Sequence, residues 1–198
     1  MNSVNPKSTK LAAAGLLTVC LLGYLAGMYF VIMALPAYAQ TARRTITGTV
    51  TYITDGDTIH VVTAEQTKLK VRLYGIDCPE TEKINHQSGK VSKPGQPYGE
   101  EAKNALASAI SGQEVTLEVM DTDRYKRIVC IVWYQGRNIN LEMVSAGLAE
   151  AFVEYLKPPY RNTFIQAQRE AKAAGHGIWS LPDYESPGNF RKRLNIGG

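Results

Sequence analysis

Zinc-ligand spacing is missing from this chain, and cysteine is scarce. Three cysteines occur in 198 residues, and one of them, Cys20, lies in an apolar N-terminal stretch. Cys78 and Cys130 remain, and His60, His86 and His176 share no metal-ligand spacing with them or with one another. That argues against a structural zinc site. Two thiols suffice for one disulfide, but sequence alone does not bring their Cα atoms together. Also missing are an internal repeat and any sign of a second domain, so residues 40–198 read as one domain with a single core. A strong charge of either sign is absent too, since 22 basic and 18 acidic residues leave +4. Such a balance suits a polyanionic partner weakly and decides nothing alone.

Charge vanishes altogether from Leu11 to Leu35, a run of 25 residues preceded by Lys7 and Lys10. Pro36-Ala37-Tyr38-Ala39 follows, with the small-x-small pattern of a cleavage site before Gln40. Residues 1–39 are therefore expected to be an export signal, cut after Ala39. The run is also long enough to span a bilayer, so an uncleaved anchor through residues 11–35 is the alternative. Both readings place the remainder outside the cytoplasm, secreted or periplasmic in the first case. Without Lys7 and Lys10, 20 basic residues face 18 acidic ones, a charge of +2.

What is present is a set of short strands. Ile46, Gly48, Val50 and Tyr52 alternate with threonines, Asp55-Gly56-Asp57 signals a turn, and Thr58 to Thr63 returns as the second strand of a hairpin. From Lys68 to Tyr74, Leu69, Val71 and Leu73 alternate with Lys68, Lys70 and Arg72, a half-buried third strand. Thr81 to Gln96 is polar and reads as a mobile surface loop. Pro97 is expected to open a helix that Gly112 ends. Val115, Leu117 and Val119 form a fourth strand and Arg127 to Trp133 an apolar fifth. Short helices are expected over Asn140–Ala146 and from Tyr160 to a stop at Gly175. Five strands with a helix between the third and fourth is the order of a small Greek-key barrel of the OB type. The fold class is α+β with three helices: a domain over 40–182, then a basic tail over 183–198 in which Arg191-Lys192-Arg193 reads as a solvated run, with added phosphate contacts as the alternative.

Three polar centres stand out. Val71 to Glu80 delivers Arg72, Asp77 and Glu80 to the end of the third strand, where Gly75 and Pro79 break the ladder. Asp55-Gly56-Asp57-Thr58 places a second acid after the turn glycine, and two carboxylates in a tight turn call for a positive partner. Asp57 with Asp77 can supply hard oxygen ligands for calcium. Asp121 to Arg127 ends on Arg127 at the mouth of the fifth strand, where a planar guanidinium suits a phosphodiester. Each centre alone is an ordinary charged turn.

Together, Asp55-Gly56-Asp57-Thr58, Arg72 with Asp77-x-Pro79-Glu80, and Asp123-Arg124-Tyr125-Lys126-Arg127 resemble the motifs of the staphylococcal nuclease (thermonuclease) family in order and spacing. The resemblance runs from about Thr45 to Trp179 and includes Tyr98-Gly99, Gly147-Leu148-Ala149 and Gly177-Ile178-Trp179. It implies calcium held by Asp57, Asp77 and the main-chain carbonyl of Cys78. Glu80 is the implied general base, and Arg72 and Arg127 the implied arginines on the scissile phosphate. Arg124 and Tyr125 then lie near the nucleotide's terminal phosphate, and Tyr155 flanks the base. DNA and RNA are the implied substrates, and a monomer is expected. Three departures stand out: Cys78 replaces a threonine, Lys126 replaces a glycine, and Val153 replaces a second base-flanking tyrosine, so base stacking is expected either to be weaker or to use Phe152 instead. The rival reading is a non-catalytic module that binds nucleic acid or protein. The joint presence of Arg72, Arg127, Glu80, Asp57 and Asp77 favours an exported calcium-dependent nuclease.

Overall fold

The computed structural model describes residues 43–194; the expectations for residues 1–39, Cys20 included, lie outside the described residues. In chain order the strands are β1 (Thr45–Asp55), β2 (Thr58–Val62), β3 (Lys68–Leu73), β4 (Ile76–Asp77), β5 (Lys83–Ile84), β6 (Val91–Lys93), β7 (Glu114–Thr122), β8 (Ile128–Tyr134), β9 (Arg137–Asn138) and β10 (Glu150–Ala151). The helices are α1 (Gly99–Ile110), α2 (Ile139–Ser145), α3 (Tyr160–Ala173) and α4 (Pro187–Arg193), with a 3-10 turn over Gly177–Ser180.

β1 organises the barrel because it is long enough to serve two partners. Its N-terminal half pairs antiparallel with β7, from Thr45 opposite Glu118 to Thr49 opposite Glu114. Its C-terminal half pairs with β2, and register shifts after Val50 and Ile53 coil it from one neighbour to the other. β2 pairs with β3 and β7 with β8, giving the order β3-β2-β1-β7-β8-β9. β3 then meets β8 in parallel, Val71 beside Ile128 and Leu73 beside Cys130, which closes five strands into a barrel. The expected OB-like α+β fold is the fold observed.

Just past the parallel closure Tyr74 N donates to Cys130 O at 2.7 Å, and one buried side chain ties the two strands together at the same point. Asn140 donates through Nδ2 to Tyr74 O and Cys130 O, both at 3.0 Å, while its Oδ1 accepts from Val132 N at 2.9 Å. All three of these amide bonds are sheltered from water, since Asn140 is 0% exposed. Val50, Ile59, Val61, Val71, Leu73, Leu117, Ile131 and Val132 fill the barrel, and Leu106 and Ile110 of α1 cap it. Cys78 and Cys130 are both buried and both free thiols.

Several expectations shift. The described residues hold four α-helices rather than three, because part of the anticipated tail folds as α4. Ser186 caps it by accepting from Asn189 N at 3.2 Å, and Pro187 occupies its first turn. α1 starts at Gly99, two residues after Pro97, because Tyr98 takes a left-handed φ of 67° that a helix cannot include. The stretch over 81–96 is not structureless, since β5 and β6 pair within it. β8 begins at Ile128, so Arg127 belongs to the turn and not to the strand.

Candidate active site

One turn, a strand, a strand end and a loop bring the first two polar centres together. The Asp55–Thr58 turn joins β1 to β2, β3 carries Arg72, β4 ends on Asp77, and Glu80 follows in the loop. A Cβ at Gly56 would lie 2.9 Å from the Cβ of Cys78 and 2.8 Å from that of Ala102, so a larger residue would push the turn off its seat. Seated there, Asp57 accepts from Cys78 N through Oδ2 at 3.0 Å and from the Thr58 hydroxyl through Oδ1 at 3.1 Å. Arg72 spans the acids. One terminal nitrogen pairs with Asp57, while the other donates to Asp77 Oδ1 at 2.8 Å and to Ile76 O at 3.2 Å. Asp57 and Asp77 are each 3% exposed, and carboxylates so buried need a cation against them.

Glu80 is fixed through its backbone. Its N–H donates to Gln96 Oε1 at 3.1 Å and its carbonyl accepts from Gln96 N at 2.8 Å. The start of α1 presses on the same carbonyl, where a Cβ at Gly99 would sit 2.3 Å away. Tyr98-Gly99 therefore places the helix against the loop that carries Glu80, leaving its side chain free to reach the cluster.

A further cation sits in this cluster. Arg191 of α4 donates to Asp77 Oδ2 at 2.7 Å, to Asp77 Oδ1 at 3.2 Å and to Glu80 Oε1 at 2.8 Å. Burial works against its charge, but bonds to Asp77 and Glu80 outweigh that and push the guanidinium pKa up. Of the basic run, Lys192 and Arg193 are exposed as expected; Arg191 is not. The Ser-Pro pair at 186–187 is a legible helix start. The contact across 111 to 114 residues of sequence is not.

The third centre forms a separate platform. In the turn between β7 and β8, Asp123 Oδ1 accepts from the backbone of Tyr125 and of Arg127, both at 2.9 Å, and Oδ2 accepts from Arg127 Nε at 2.6 Å. Burial disfavours the Asp123 anion, yet these bonds and the Arg127 charge prevail and hold its carboxyl below the usual range. The terminal nitrogens of Arg127 make no hydrogen bond among the described residues. Arg124 and Arg127 lie over the Tyr125 ring, at 4.9 and 5.5 Å from its centroid, and that ring is 58% exposed. Lys126 takes φ of 61°, so the left-handed turn persists although a β-carbon stands where the family favours glycine. Arg127 does not touch the acid cluster, but it leads directly into β8, which runs beside the strand of Arg72.

Tyr155 stands on a third segment and is 59% exposed. Its position is set by Tyr74, whose hydroxyl donates to Tyr155 O at 2.7 Å and accepts from Lys157 N at 2.8 Å. Phe152 packs edge-on against Tyr155 with ring centroids 4.6 Å apart, while Val153 turns partly into the core. The burial of Cys78 pushes its thiol pKa well up, so its sulfur stays protonated. Among the described residues no three His, Cys, Asp or Glu side chains converge to hold a metal by themselves. An open depression of about 500 Å³ between α2 and α3, lined by Leu141, Ser145, Gln166 and Glu170 among others, contains none of the residues of the three polar centres. With an acid as its one charged wall residue, it suits no polyanion.

The family described as staphylococcal nuclease homologue matches residues 70–181. An uncharacterized endonuclease of Haemophilus influenzae is 35% identical over 144 residues, covering 73% of this chain and 72% of that protein. The micrococcal nuclease of Shigella flexneri is 34% identical over 170 residues, 81% of this chain and 86% of its own length. The thermonuclease of Staphylococcus hyicus is 34% identical over 132 residues, 65% of this chain and 72% of its own length.

Proposed function

The chain belongs to the staphylococcal nuclease family, and from that premise we propose that it is an exported, calcium-dependent nuclease hydrolysing DNA and RNA with little sequence specificity. The observation that carries the reading is the convergence of Arg72 with the buried Asp57 and Asp77, to which the half-buried Glu80 is joined through Arg191. A hydrophobic or structural role does not explain three acids held together under a barrel rim.

The donor set suits a hard divalent cation. Asp57 and Asp77 present carboxylate oxygens on both sides of one guanidinium, and the protonated thiol of Cys78 leaves only its main-chain carbonyl as a ligand. When bound, calcium supplies neutralisation of phosphate charge and a positioned water. Two carboxylates and one carbonyl leave several positions to water, which implies modest affinity.

The chain's own residues account for the rest of the chemistry. Glu80 takes the proton of the attacking water through a side chain whose backbone is immobilised by Gln96 and Gly99. Arg72 donates to phosphate oxygens beside the acids. Arg127, oriented through its Nε by Asp123, offers its terminal fork to the same phosphate from the other side. Arg124 and Tyr125 receive the terminal phosphate, and Tyr155 with Phe152 stacks the base. These contacts address backbone and ring faces, which carry little sequence information.

Digestion of plasmid DNA and RNA, first with calcium and then with excess chelator, tests this. Cleavage that needs added calcium, together with a Glu80→Gln variant that binds DNA without cutting it, is the expected result. Full cleavage in chelator overturns the calcium assignment, and calcium-dependent binding without any cleavage by wild type overturns the enzyme. For export, antibody detection is expected to show a mature form starting at Gln40 outside the cytoplasm. Full-length protein in the membrane fraction would instead support the anchor through residues 11–35.

A further inference from the structure

We propose that α4 is a latch on the acid cluster, in which Arg191 competes with the divalent cation for Asp77 and restrains Glu80, so that metal loading and undocking of the helix are one linked event. The proposal rests on the calcium reading above and adds to it a residue outside the family motifs.

The geometry assigns Arg191 this role through lone pairs. Asp77 Oδ1 accepts from both Arg72 and Arg191, and Oδ2 accepts from Arg191 again. Three of the four lone-pair sites of Asp77 are thus taken, two of them by Arg191. A metal at the remaining site on Oδ2 sits against the Arg191 guanidinium, so the ion and Arg191 oppose one another there. Arg72 is built into the middle of the barrel sheet, paired on both sides with Thr58 and Val129. Arg191 comes from a helix of seven residues close to the end of the described chain. That helix is fastened mainly by Pro187 and Phe190, which are buried, and by Gln96 Nε2 donating to Glu185 O at 3.1 Å. Arg191 is thus the partner that leaves.

Charge balance points the same way. Asp57, Asp77 and Glu80 carry three negative charges, and Arg72 and Arg191 two positive ones. The cluster keeps one net negative charge with the latch closed. Exchange of Arg191 for a divalent cation brings it to neutrality. The same bond at Glu80 engages the carboxylate assigned to the water proton, so the closed latch silences both metal ligand and base with one side chain.

The test is calcium binding by titration calorimetry on the protein as its host produces it, with calcium alone as probe. Arg191→Gln is expected to bind calcium at least tenfold more tightly than wild type. Arg191→Lys, which keeps the charge and loses the planar fork, is expected to fall between. Arg193→Gln removes an equal charge from the same helix at a residue that pairs with Glu185 and lies over the Phe190 ring but does not reach Asp77 or Glu80, and its affinity is expected to change far less than that of Arg191→Gln. Phe190→Ala, which loosens the helix without touching charge, is expected to tighten binding in the same direction. It decides the matter if Arg191→Gln does not fold. Calcium is also expected to raise trypsin cleavage at Lys192 and Arg193 in wild type. Equal calcium affinity in wild type and Arg191→Gln, or equal tightening in Arg193→Gln, overturns the latch and leaves the calcium reading intact. No calcium binding by wild type or any variant overturns both.

Discussion

The acid cluster and the arginine–tyrosine turn are built on opposite plans. In the first, Asp57 and Asp77 are almost fully buried, and their charges are bound within the fold. In the second, Tyr125 stands in solvent and the terminal nitrogens of Arg127 carry no hydrogen bond among the described residues, while one half-buried aspartate ties down the backbone. The difference teaches how each kind of group is readied. Acids meant to concentrate negative charge need burial and a rigid frame, so their partners must be exchangeable. Arg127 is held ready for an incoming anion with no competing acid on its terminal donors, because Asp123 engages only the Nε, whereas Arg72 meets the phosphate from within the acid cluster itself.

The sharpest way to break that contrast is Arg127→Lys. A lysine keeps the charge but neither the Nε anchor nor the fork. The expected effect is a fall in kcat on the order of 10²–10³, with DNA binding much less affected. A variant that raised KM and left kcat alone would make the turn a mere docking patch.

A smaller effect is expected at Asp123. Asp123→Asn turns one acceptor into a donor facing Arg127 Nε and should destabilise the fold by roughly 1–3 kcal/mol at pH 7. The sign with pH follows from the lowered carboxyl of the folded protein. Its stabilisation is complete above the unfolded value near pH ~3.9 and is lost as pH falls through the folded one. Urea unfolding should therefore show the gap between wild type and variant at pH 7 and narrow it at pH 3. A gap that is constant with pH would contradict the ionic role.

The smallest effect is at Lys126. Glycine there relieves a left-handed φ, worth about 1–2 kcal/mol, and gives part of it back through a freer unfolded chain. A rise in Tm of roughly 2–4 °C is expected, the shift for about 1 kcal/mol in a domain of this size. A fall in Tm would mean that the lysine side chain, rather than the backbone, steadies the turn.

Much of this was legible in residues. Alternation in β1, β3 and β7 follows from one face meeting the core, and the spacing of Asp57, Arg72, Asp77 and Glu80 follows from a hairpin plus one strand. Contacts that carry no local period were not legible. The two-residue pairing of β4 with β10 and the register in which β3 meets β8 arise from tertiary fit. Arg191 was hidden for the same reason: in sequence it is one of three adjacent basic residues, and only the docking of Phe190 chooses which of them faces Asp77. The start of α1 at Gly99 rather than Pro97 is likewise fixed by the Glu80 carbonyl beside it.

The parallel seam between β3 and β8 also bears on how the chain is made. β3 is complete by Leu73, but its closing partner starts at Ile128 and the amide that secures the seam comes from Asn140. During synthesis the outer edge of β3 must therefore stay unpaired while more than fifty further residues emerge, a long-range closure of the kind that slows folding. That waiting edge alternates Lys68, Lys70 and Arg72 with its apolar residues. Such a row of like charges discourages neighbouring chains from adding a strand before the barrel's own one arrives.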